Sequence, residues 1–307
     1  MLHLTLRQIE IFSAVAQSGS TVAAAEVLGL SQSATSAALK QLEQGLGAPL
    51  FGRVGRALVL NDAGRAVLPQ ALALLEQAQA IEQAFAARAA PGRARLPVRL
   101  RVAASTTIGT YVLPQLLARL ARSHPEIHVD LQVANTREVA DAVQALHADL
   151  GLIEGASHGD GLQVQSWLRD ELVLVAAPDH ALALQARARP LDAPALRAAS
   201  WLLREPGSGT REMVEHALLP HLGQLQVSAT LGSSEAIARC VARGLGVSCL
   251  SRLLVQALVD GGELVLLPTT LPRLWRDFSL VQRTGRPLSP ARQAFVQACL
   301  ELAHGPS

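Results

Sequence analysis

Residues 31–64, SQSATSAALKQLEQGLGAPLFGRVGRALVLNDAG, decide the fold of the first part of the chain. Apolar residues recur at four-residue spacing in the first half of this segment, which predicts an amphipathic helix. The stripe that would face a core consists of Ala34, Ala38, Leu39, Leu42 and Leu46. Ser31 is a favourable N-cap, so the helix would begin with unpaired N–H groups that suit a phosphate. The opposite face is polar and carries Gln32, Ser33, Thr35, Ser36 and Lys40.

Two shorter helices are predicted before this one. The first runs to about residue 17, where Ser18-Gly19-Ser20 breaks it; Thr21 is expected to cap the second, and Gly29 ends it. Two helices joined by so tight a turn, the second with a polar outer face, are typical of a helix-turn-helix. Residues 50–51 and 58–60 fit a hairpin with a basic tip that includes Arg53, so the motif would be winged.

One run in this segment resembles the amino-terminal signature of LysR-type transcriptional regulators: S-Q-S-A-x-S-x-A-L-K-x-L-E-x-x-L-G-x-x-L-F-x-R, followed by L-N-x-A-G. The resemblance extends over all 307 residues. It implies that Gln32, Ser33 and Ser36 contact DNA and that Arg53 contacts a backbone phosphate. The complete set of predicted DNA-binding residues is Thr21, Gln32, Ser33, Thr35, Ser36, Lys40 and Arg53. The alternative is a three-helix structural domain whose polar face is only solvated.

The composition is that of a globular chain. At 307 residues and 50% hydrophobic content it can bury a large core, and its length favours two or three domains. No basic-then-apolar leader opens the sequence, and no apolar run reaches the roughly 18 residues that a membrane span needs, so we expect a cytoplasmic protein. Cys240, Cys249 and Cys299 are not clustered, which argues against disulfides and a zinc site. We expect neither a metal nor another cofactor.

Residues 61–90 predict one long helix that begins at a suitable cap, Asn61. Its apolar residues, among them Leu74, Ile81 and Phe85, alternate four- and three-residue steps as in a heptad seam. A helix of roughly 42 Å with such a seam either pairs with a second chain or packs on its own chain. The resemblance implies pairing, because LysR-type regulators dimerise through antiparallel linker helices; a tetramer is expected as well. Residues 91–96 are predicted to be a hinge.

From residue 97 onward predicted strands alternate with predicted helices, and this alternation is typical of βαβ units that form a parallel sheet. The pattern occurs twice, so we predict two α/β lobes joined by two crossings. Lobe I would comprise about 97–165 and 268–307, and lobe II about 166–267. The fold class predicted for the whole chain is therefore α/β: an all-α winged helix-turn-helix domain over 1–60, a linker helix over 61–90, and an effector domain of 97–307. Its two lobes resemble those of periplasmic binding proteins.

Three polar clusters fall between a predicted strand and the next helix, where open α/β sheets bind ligands. They are residues 105–107, residues 206–211 and residues 232–235. They suit a small oxyanion or carboxylate, although Ser and Thr are also ordinary helix caps. Asn135, Thr136 and Glu154 close other strands nearby. Glu154 would repel an anion unless Arg211 or Arg204 neutralises it. The predicted effector-binding residues are Ser105, Thr106, Thr107, Asn135, Thr136, Glu154, Ser208, Gly209, Thr210, Arg211 and Ser234.

Four strings in this domain resemble the CysL-type, sulfite-responsive branch of the family: A-S-T-T-I-G, L-I-E-G, R-E-P-G-S-G-T-R and G-L-G-V-S-C-L-S. This implies a sulfite-like oxyanion as one candidate effector. Operator DNA, the effector, a second copy of the chain and RNA polymerase are the expected partners.

Two other function classes are disfavoured. An enzyme is disfavoured because the nine histidines are scattered and none lies in a recognised catalytic motif. A thiol switch through Cys240 and Cys249 is disfavoured because Cys249 lies in an apolar predicted strand, where burial makes a thiol inert.

Overall fold

The computed structural model describes residues 4–55, 57–89, 97–155, 159, 161–285 and 288–304, except for the side chains of residues 79, 80, 83–89 and 304. The chain divides into two compact units, Met1–Pro97 with Gly285–Ala291 and Val98–Thr284 with Arg292–Ser307. The predicted hinge at 91–96 and the side chain of Phe85 lie outside the described residues.

Three short helices open the first unit: α1 (Leu6–Ser18), α2 (Thr21–Leu28) and α3 (Gln32–Leu46). Each helix has a hydroxyl N-cap and ends at a glycine in the left-handed conformation, as the local signals predict. The prediction that Thr21 caps α2 is wrong, because the side chain of Ser20 accepts the Val22 N–H and Thr21 is the first helical residue.

The core stripe of α3 differs from the predicted one. Its buried residues are Thr35, Leu39 and Leu42, whereas Ala34 is exposed and Leu46 is 40% exposed. The buried face therefore lies about one residue, or 100° of helix rotation, away from the face that Ala34 and Leu46 suggest.

A two-stranded wing and a long helix complete the first unit. Strands β1 (Phe51–Val54) and β2 (Ala57–Leu60) pair antiparallel, which confirms the hairpin. Helix α4 (Asp62–Ala89) has 28 residues, and the Asn61 side chain caps it by accepting the Gly64 N–H at 2.9 Å. The first half of α4 contacts α1 and buries Leu68, Ala71 and Leu72. Farther along, Leu74 is 41% and Ile81 60% exposed.

The second unit begins with the parallel part of its main sheet. Strand β3 (Val98–Ser105) lies between β4 (Ile127–Ala134) and β5 (Leu150–Glu154), parallel to both. A π-helix (Ile108–Val112) leads into α5 (Leu113–Ser123) after β3, and α6 (Thr136–Gln144) follows β4. We call these elements lobe I; the last helix, α12 (Pro290–His304), belongs to it because Phe295 and Cys299 join its core.

Two long strands cross from lobe I into lobe II, as predicted. The parallel repeat predicted for the second half is wrong for its first and last strands, because residues 172–175 pair antiparallel with residues 248–251. The crossing strands, β6 (Leu162–Ala176) and β11 (Leu274–Arg283), pair antiparallel too. β11 also pairs antiparallel with β5 in lobe I. The predicted strand at 172–176 is only the end of β6, which has 15 residues.

Lobe II is built around the far end of β6. There β9 (Ser248–Ser251) and β10 (Val265–Leu266) pair with β6, while β7 (Ser200–Arg204) runs parallel to β8 (Gln226–Leu231). Five helices cover these strands, and Trp201 is fully buried beneath them. The helices are α7 (Ala181–Ala186), α8 (Ala193–Arg197), α9 (Gly209–Leu222), α10 (Ser234–Ala242) and α11 (Arg252–Asp260).

Candidate DNA interface and effector cleft

The start of α3 presents a row of exposed polar side chains. Gln32 donates from Nε2 to Ser36 Oγ at 3.0 Å and to Thr21 Oγ1 at 3.4 Å, so three of the predicted DNA-contacting residues form one patch. Ser33 and Lys40 are exposed on the same helix. Because Ser31 caps only the Ala34 N–H, the other first-turn amides remain available to a phosphate.

Thr35 does not belong to this patch. It is 0% exposed, and its hydroxyl donates to the Ser31 carbonyl oxygen at 3.1 Å. Its prediction as a DNA contact is wrong, because the residue faces the interior of the three-helix core.

The wing places Arg53 beside the helix-turn-helix. Arg53 is exposed on β1 opposite Leu58, and the Leu58 N–H donates to the Gly19 carbonyl oxygen at 2.8 Å. Phe51 packs edge-on against Phe12 of α1, with ring centroids 5.6 Å apart. These contacts hold the hairpin on the first unit and leave its cation facing solvent.

In the second unit, the carboxyl ends of β3 and β5 bring part of the predicted effector set together. The Thr107 N–H donates to Glu154 Oε1 at 2.8 Å, and Thr136 Oγ1 donates to the Glu154 carbonyl oxygen at 3.2 Å. These residues come together because parallel strands end at the same edge of a sheet. Glu154 is 2% exposed, so its carboxylate lies beneath this edge and not at its surface.

The charge on Glu154 is neutralised by Arg276 of β11. The two cations considered for this role from the sequence pair elsewhere: Arg211 pairs with Glu215, and Arg204 pairs with Glu205, in both cases within 2.8 Å. Arg276 can reach Glu154 because β11 is the neighbour of β5 in the sheet.

Every nitrogen of the Arg276 guanidinium contacts an oxygen within the chain. Nε and Nη2 bond to Asp170 Oδ2 at 2.8 and 2.7 Å, and Nη1 donates to Glu154 Oε2 and, at 2.8 Å, to Thr210 Oγ1. Nη2 also donates to Thr107 Oγ1 at 3.3 Å. We call Glu154, Asp170 and Arg276 the buried ion triad. All three nitrogens of the Arg276 guanidinium are therefore engaged within the chain.

Burial and charge act in opposite directions on the two carboxyls of the triad. Burial alone would raise the pKa of Glu154, but the Arg276 charge and hydrogen bonds from Thr210 and Thr107 lower that pKa below its ordinary value. For Asp170 burial prevails and raises the pKa, although Arg276 and Ser251 oppose it. Glu154 therefore stays ionised at the base of the cleft, beneath the carboxyl ends of the strands.

The second cluster belongs to lobe II and meets lobe I at the start of α9. Thr210 is buried, and its hydroxyl donates to Glu154 Oε2 at 2.8 Å. A Cβ on Gly209 would lie 2.0 Å from the Glu154 carbonyl oxygen and 2.6 Å from Thr136 Oγ1, so only glycine fits between the lobes here. Ser208 is buried as well, but its side chain caps no amide of α9.

Several predicted ligands are occupied by structural hydrogen bonds. Asn135 caps α6 by accepting the Glu138 N–H at 3.0 Å, and Ser234 accepts from Arg204 Nη1 at 2.7 Å. Arg211 is held by Glu215. For these three residues the ordinary capping or pairing role accounts for the side chain.

Among the predicted effector-binding residues, three hydroxyls remain for a ligand. Ser105 Oγ is buried without a well-formed hydrogen bond, although it lies near enough to Glu154 to help lower the pKa of that carboxyl. Thr106 is half-buried, and neither its side chain nor that of Ser208 forms a hydrogen bond within the described part of the chain. These hydroxyls come from both lobes.

The arrangement can hold a small polar ligand but offers no reactive thiol among its described residues. Cys249 is 2% exposed, and burial raises the pKa of its thiol to about 12; burial also raises the pKa of Cys299. Within the described ranges no group of three or more His, Cys, Asp or Glu side chains could hold a metal ion. No described helix is long and apolar enough to cross a membrane.

Sequence reasoning missed Arg276, Asp170 and Ser251, and it named Arg204 only as a cation that could neutralise Glu154. A signal for the first two does exist, because Asp170 and Arg276 each lie two positions before a mostly apolar segment, 172–176 and 278–281, and a charge in a buried strand needs a partner.

A winged helix-turn-helix followed by a two-lobed α/β domain is the architecture of an effector-controlled transcriptional regulator. The chain belongs to the LysR family. Residues 6–65 match the family model described as bacterial regulatory helix-turn-helix protein, lysR family, and residues 93–303 match the LysR substrate binding domain. This protein is therefore a LysR-type DNA-binding transcriptional regulator with an effector-binding domain.

Its relatives agree with this assignment. The HTH-type transcriptional regulator YeiE of Escherichia coli (strain K12) is 45% identical over 298 residues, which are 97% of this chain and 98% of YeiE. CysL of Bacillus subtilis (strain 168) is 33% identical over 81% of each chain. CysL-type regulators are thus among the homologues, as the sequence strings predict.

Solved structures share the fold. A full-length OxyR variant from Pseudomonas aeruginosa aligns with a TM-score of 0.74 and 27% identity, covering 97% of this chain and 95% of that OxyR chain. The regulatory domain of Synechocystis PCC6803 CcmR, solved in complex with 2-PG, aligns with a TM-score of 0.62 and 30% identity over 67% of this chain and 98% of that domain.

Proposed function

We propose that this regulator binds a dyad-symmetric operator as a dimer and that a small anion held between lobes I and II controls the binding. The observation that carries the proposal is a set of three hydroxyls that come from both lobes and make no well-formed hydrogen bond, those of Ser105, Thr106 and Ser208. Of these, Ser105 lies beside the already neutralised carboxylate of Glu154. Ser208 also begins α9, whose first amides favour negative charge.

The anion would be small. A sulfite-like oxyanion is the first candidate because CysL is a homologue, and a carboxylate is the second. Thr107, Thr136, Gly209, Thr210 and the buried ion triad form the floor that positions the three hydroxyls. Catalysis is not part of the proposal, since the relatives are transcriptional regulators.

Titration calorimetry on the full chain tests the effector site, with sulfite and acetate as probes. A hydrogen bond to a charged ligand is worth roughly 1.5–3 kcal/mol, so Thr106→Ala and Ser208→Ala are each expected to weaken sulfite binding about ten- to a hundredfold. Ser123→Ala, an exposed serine of α5, is the matched control. Unchanged affinity in the double variant of Thr106 and Ser208 would place the site elsewhere.

On the DNA side, Gln32, Ser33 and Ser36 would read base edges or phosphates, with Thr21 supporting Gln32 and with Lys40 and Arg53 contacting the backbone. Gln32→Ala is expected to relax base preference. Arg53→Ala is expected to weaken binding to every sequence and to lower the salt slope by about one. Arg122→Ala removes the same charge from the second unit and should leave the slope unchanged.

Dimerisation would use the exposed apolar face of α4, which includes Leu74 and Ile81, with Phe85 continuing the sequence pattern. Two-fold symmetry of the protein would then match the dyad of the operator. Tetramer formation, contact with RNA polymerase and action in the cytoplasm, where bacterial DNA lies, complete the proposal.

A further inference from the structure

Tyr111, the one tyrosine of the chain, joins the two lobes at an edge of the cleft. It lies in the π-helix of lobe I, shortly after Thr107. Its ring packs against an apolar cluster of lobe II that contains Ile237 and Ala238, and its hydroxyl donates to Glu235 Oε1 at 2.8 Å. π-helical turns are rare and occur frequently at functional sites.

The Tyr111–Glu235 hydrogen bond runs between two of the polar clusters. Glu235 follows Ser234 in the first turn of α10, and Tyr111 follows the cluster at the end of β3. Burial raises the pKa of Tyr111, and the hydrogen bond to Glu235 raises it further, so the phenol is a protonated donor at neutral pH. The acceptor is a carboxylate, which makes this a charge-assisted hydrogen bond.

The lobes also touch through a backbone contact between α6 and the segment before α9. The Arg137 N–H of lobe I donates to the Gly207 carbonyl oxygen of lobe II at 3.1 Å. Arg137 is the second residue of α6, where an amide has no acceptor within its own helix. Exchange of this amide with solvent therefore reports on whether the lobes are in contact.

We propose that the Tyr111–Glu235 hydrogen bond is a latch that holds lobes I and II together and so sets how readily the cleft opens to an effector. Tyr111 and Glu235 are positioning residues, since they act through the lobes and not through contact with the ligand. The latch is a property of the ligand-free protein, and it rests on the proposed function only for its effect on anion binding. Loss of the bond would raise the population of the open arrangement.

Hydrogen exchange of the full chain, resolved by NMR at the Arg137 amide, tests the latch without a ligand. Tyr111→Phe keeps the ring and removes only the donor, and Glu235→Ala removes the acceptor. Each is expected to speed exchange at Arg137 by about threefold or more, because a charge-assisted bond is lost. Glu235→Gln retains an acceptor oxygen but removes its charge, so its exchange rate is expected to lie between those of wild type and Glu235→Ala. Thr110→Val, at the exposed neighbour of Tyr111, is the control.

Two comparisons separate a latch from general destabilisation. The Leu152 amide of buried β5 reports on global unfolding, and its exchange is expected to speed by no more than the factor seen at Arg137, because the latch bond is lost in both openings. General destabilisation would instead speed exchange at Leu152 without a matching change at Arg137. The double variant of Tyr111 and Glu235 is expected to match the single variants, since both remove one bond. Exchange at Arg137 that stays at the control rate in Tyr111→Phe and Glu235→Ala would overturn the proposal, as would additive effects in the double variant.

Stopped-flow binding of sulfite extends the test to the cleft. Tyr111→Phe is expected to raise the dissociation rate of sulfite several-fold while Ser123→Ala does not. Unchanged sulfite kinetics together with faster Arg137 exchange would overturn the role in ligand retention. If wild-type protein binds no sulfite, the proposed effector fails and the exchange experiment still decides the latch.

Discussion

Arg276 brings one guanidinium into contact with the two buried carboxylates Glu154 and Asp170. Replacing it by methionine keeps much of the length of the side chain and leaves both carboxylates without a cation. We expect Arg276→Met to lower the free energy of unfolding by about 3–5 kcal/mol, since breaking a buried pair leaves uncompensated charge. Urea denaturation followed by circular dichroism measures the effect.

Arg273→Met is the matched control, because Arg273 lies just before the same strand and also pairs with a carboxylate, Glu171. Its side chain is 69% exposed, and exposed ion pairs contribute about 0–1 kcal/mol. Equal losses in the two variants would mean that the buried ion triad does not stabilise the contact between the lobes.

The three cysteines differ in accessibility, which predicts their reactivity. Cys249 and Cys299 are buried with raised pKa values, whereas Cys240 is half-buried on α10. We therefore expect a disulfide reagent to modify one thiol, Cys240, quickly in the native protein and the other two only on unfolding. Mass spectrometry of the labelled protein identifies the sites. Fast labelling of Cys249 in the native protein would instead support the alternative that this chain is a thiol-based redox switch.

At the scale of single elements, the start of α9 depends on Gly209. A methyl group there would clash with the Glu154 carbonyl oxygen at 2.0 Å. Gly209→Ala is expected to cost about 1–3 kcal/mol of stability, as overpacking does, and to weaken the response to an effector by forcing the lobes apart. Thermal denaturation and sulfite titration measure the two effects.

Gly232→Ala provides the matched control for Gly209→Ala. Gly232 also precedes a helix in lobe II, but nothing lies within 4 Å of a Cβ built there. Its alanine variant is expected to stay within about 0.5 kcal/mol of wild type. If both variants behave alike, contact between α9 and β5 is not what requires glycine.

Helix α4 carries the prediction about assembly. Leu74→Glu combined with Ile81→Glu would place like charges against each other across a two-fold helix pair, so the dimer is expected to dissociate. Sedimentation velocity of the full chain measures the change, and Gln77→Glu, at an exposed position of the same helix, is the control. A dimer that survives the double substitution would mean that α4 does not form the interface.

How well each element could be predicted depends on how local its signals are. Ser31, Gly29 and Asn61 act within a few residues, so the sequence predicts α3, the end of α2 and the start of α4 correctly. The rotational phase of α3 is harder to predict because alanine fits either face of a helix, and this ambiguity puts Thr35 on the wrong side.

The effector cleft was predictable only in part. The hydroxyls at strand ends could be found because each follows a recognisable strand, whereas the partner of Glu154 could not. Arg276 lies 122 residues away from Glu154 and 106 from Asp170. Only the antiparallel placement of β11 beside β5 and β6 brings them together, and a parallel repeat does not predict it.

At the scale of the whole molecule, the division into two compact units predicts that an effector stabilises only the unit that binds it. A ligand at about 100 times its dissociation constant adds roughly 2.7 kcal/mol to the stability of its domain, which for a domain of this size raises the melting temperature by roughly 5–10 °C. We therefore expect sulfite to shift the calorimetric transition of the second unit upward and to leave that of the first unit unchanged. Two controls are expected to show little shift of this transition: the wild-type protein with chloride at equal ionic strength, and Ser208→Ala with sulfite. Cys249 and Cys299 are buried, and oxidation of the more accessible Cys240 would place no ligand in the cleft, so peroxide is not expected to reproduce the effect. A shift with peroxide and none with sulfite, acetate or other small anions would contradict the anion-responsive cleft and favour a redox-sensing regulator.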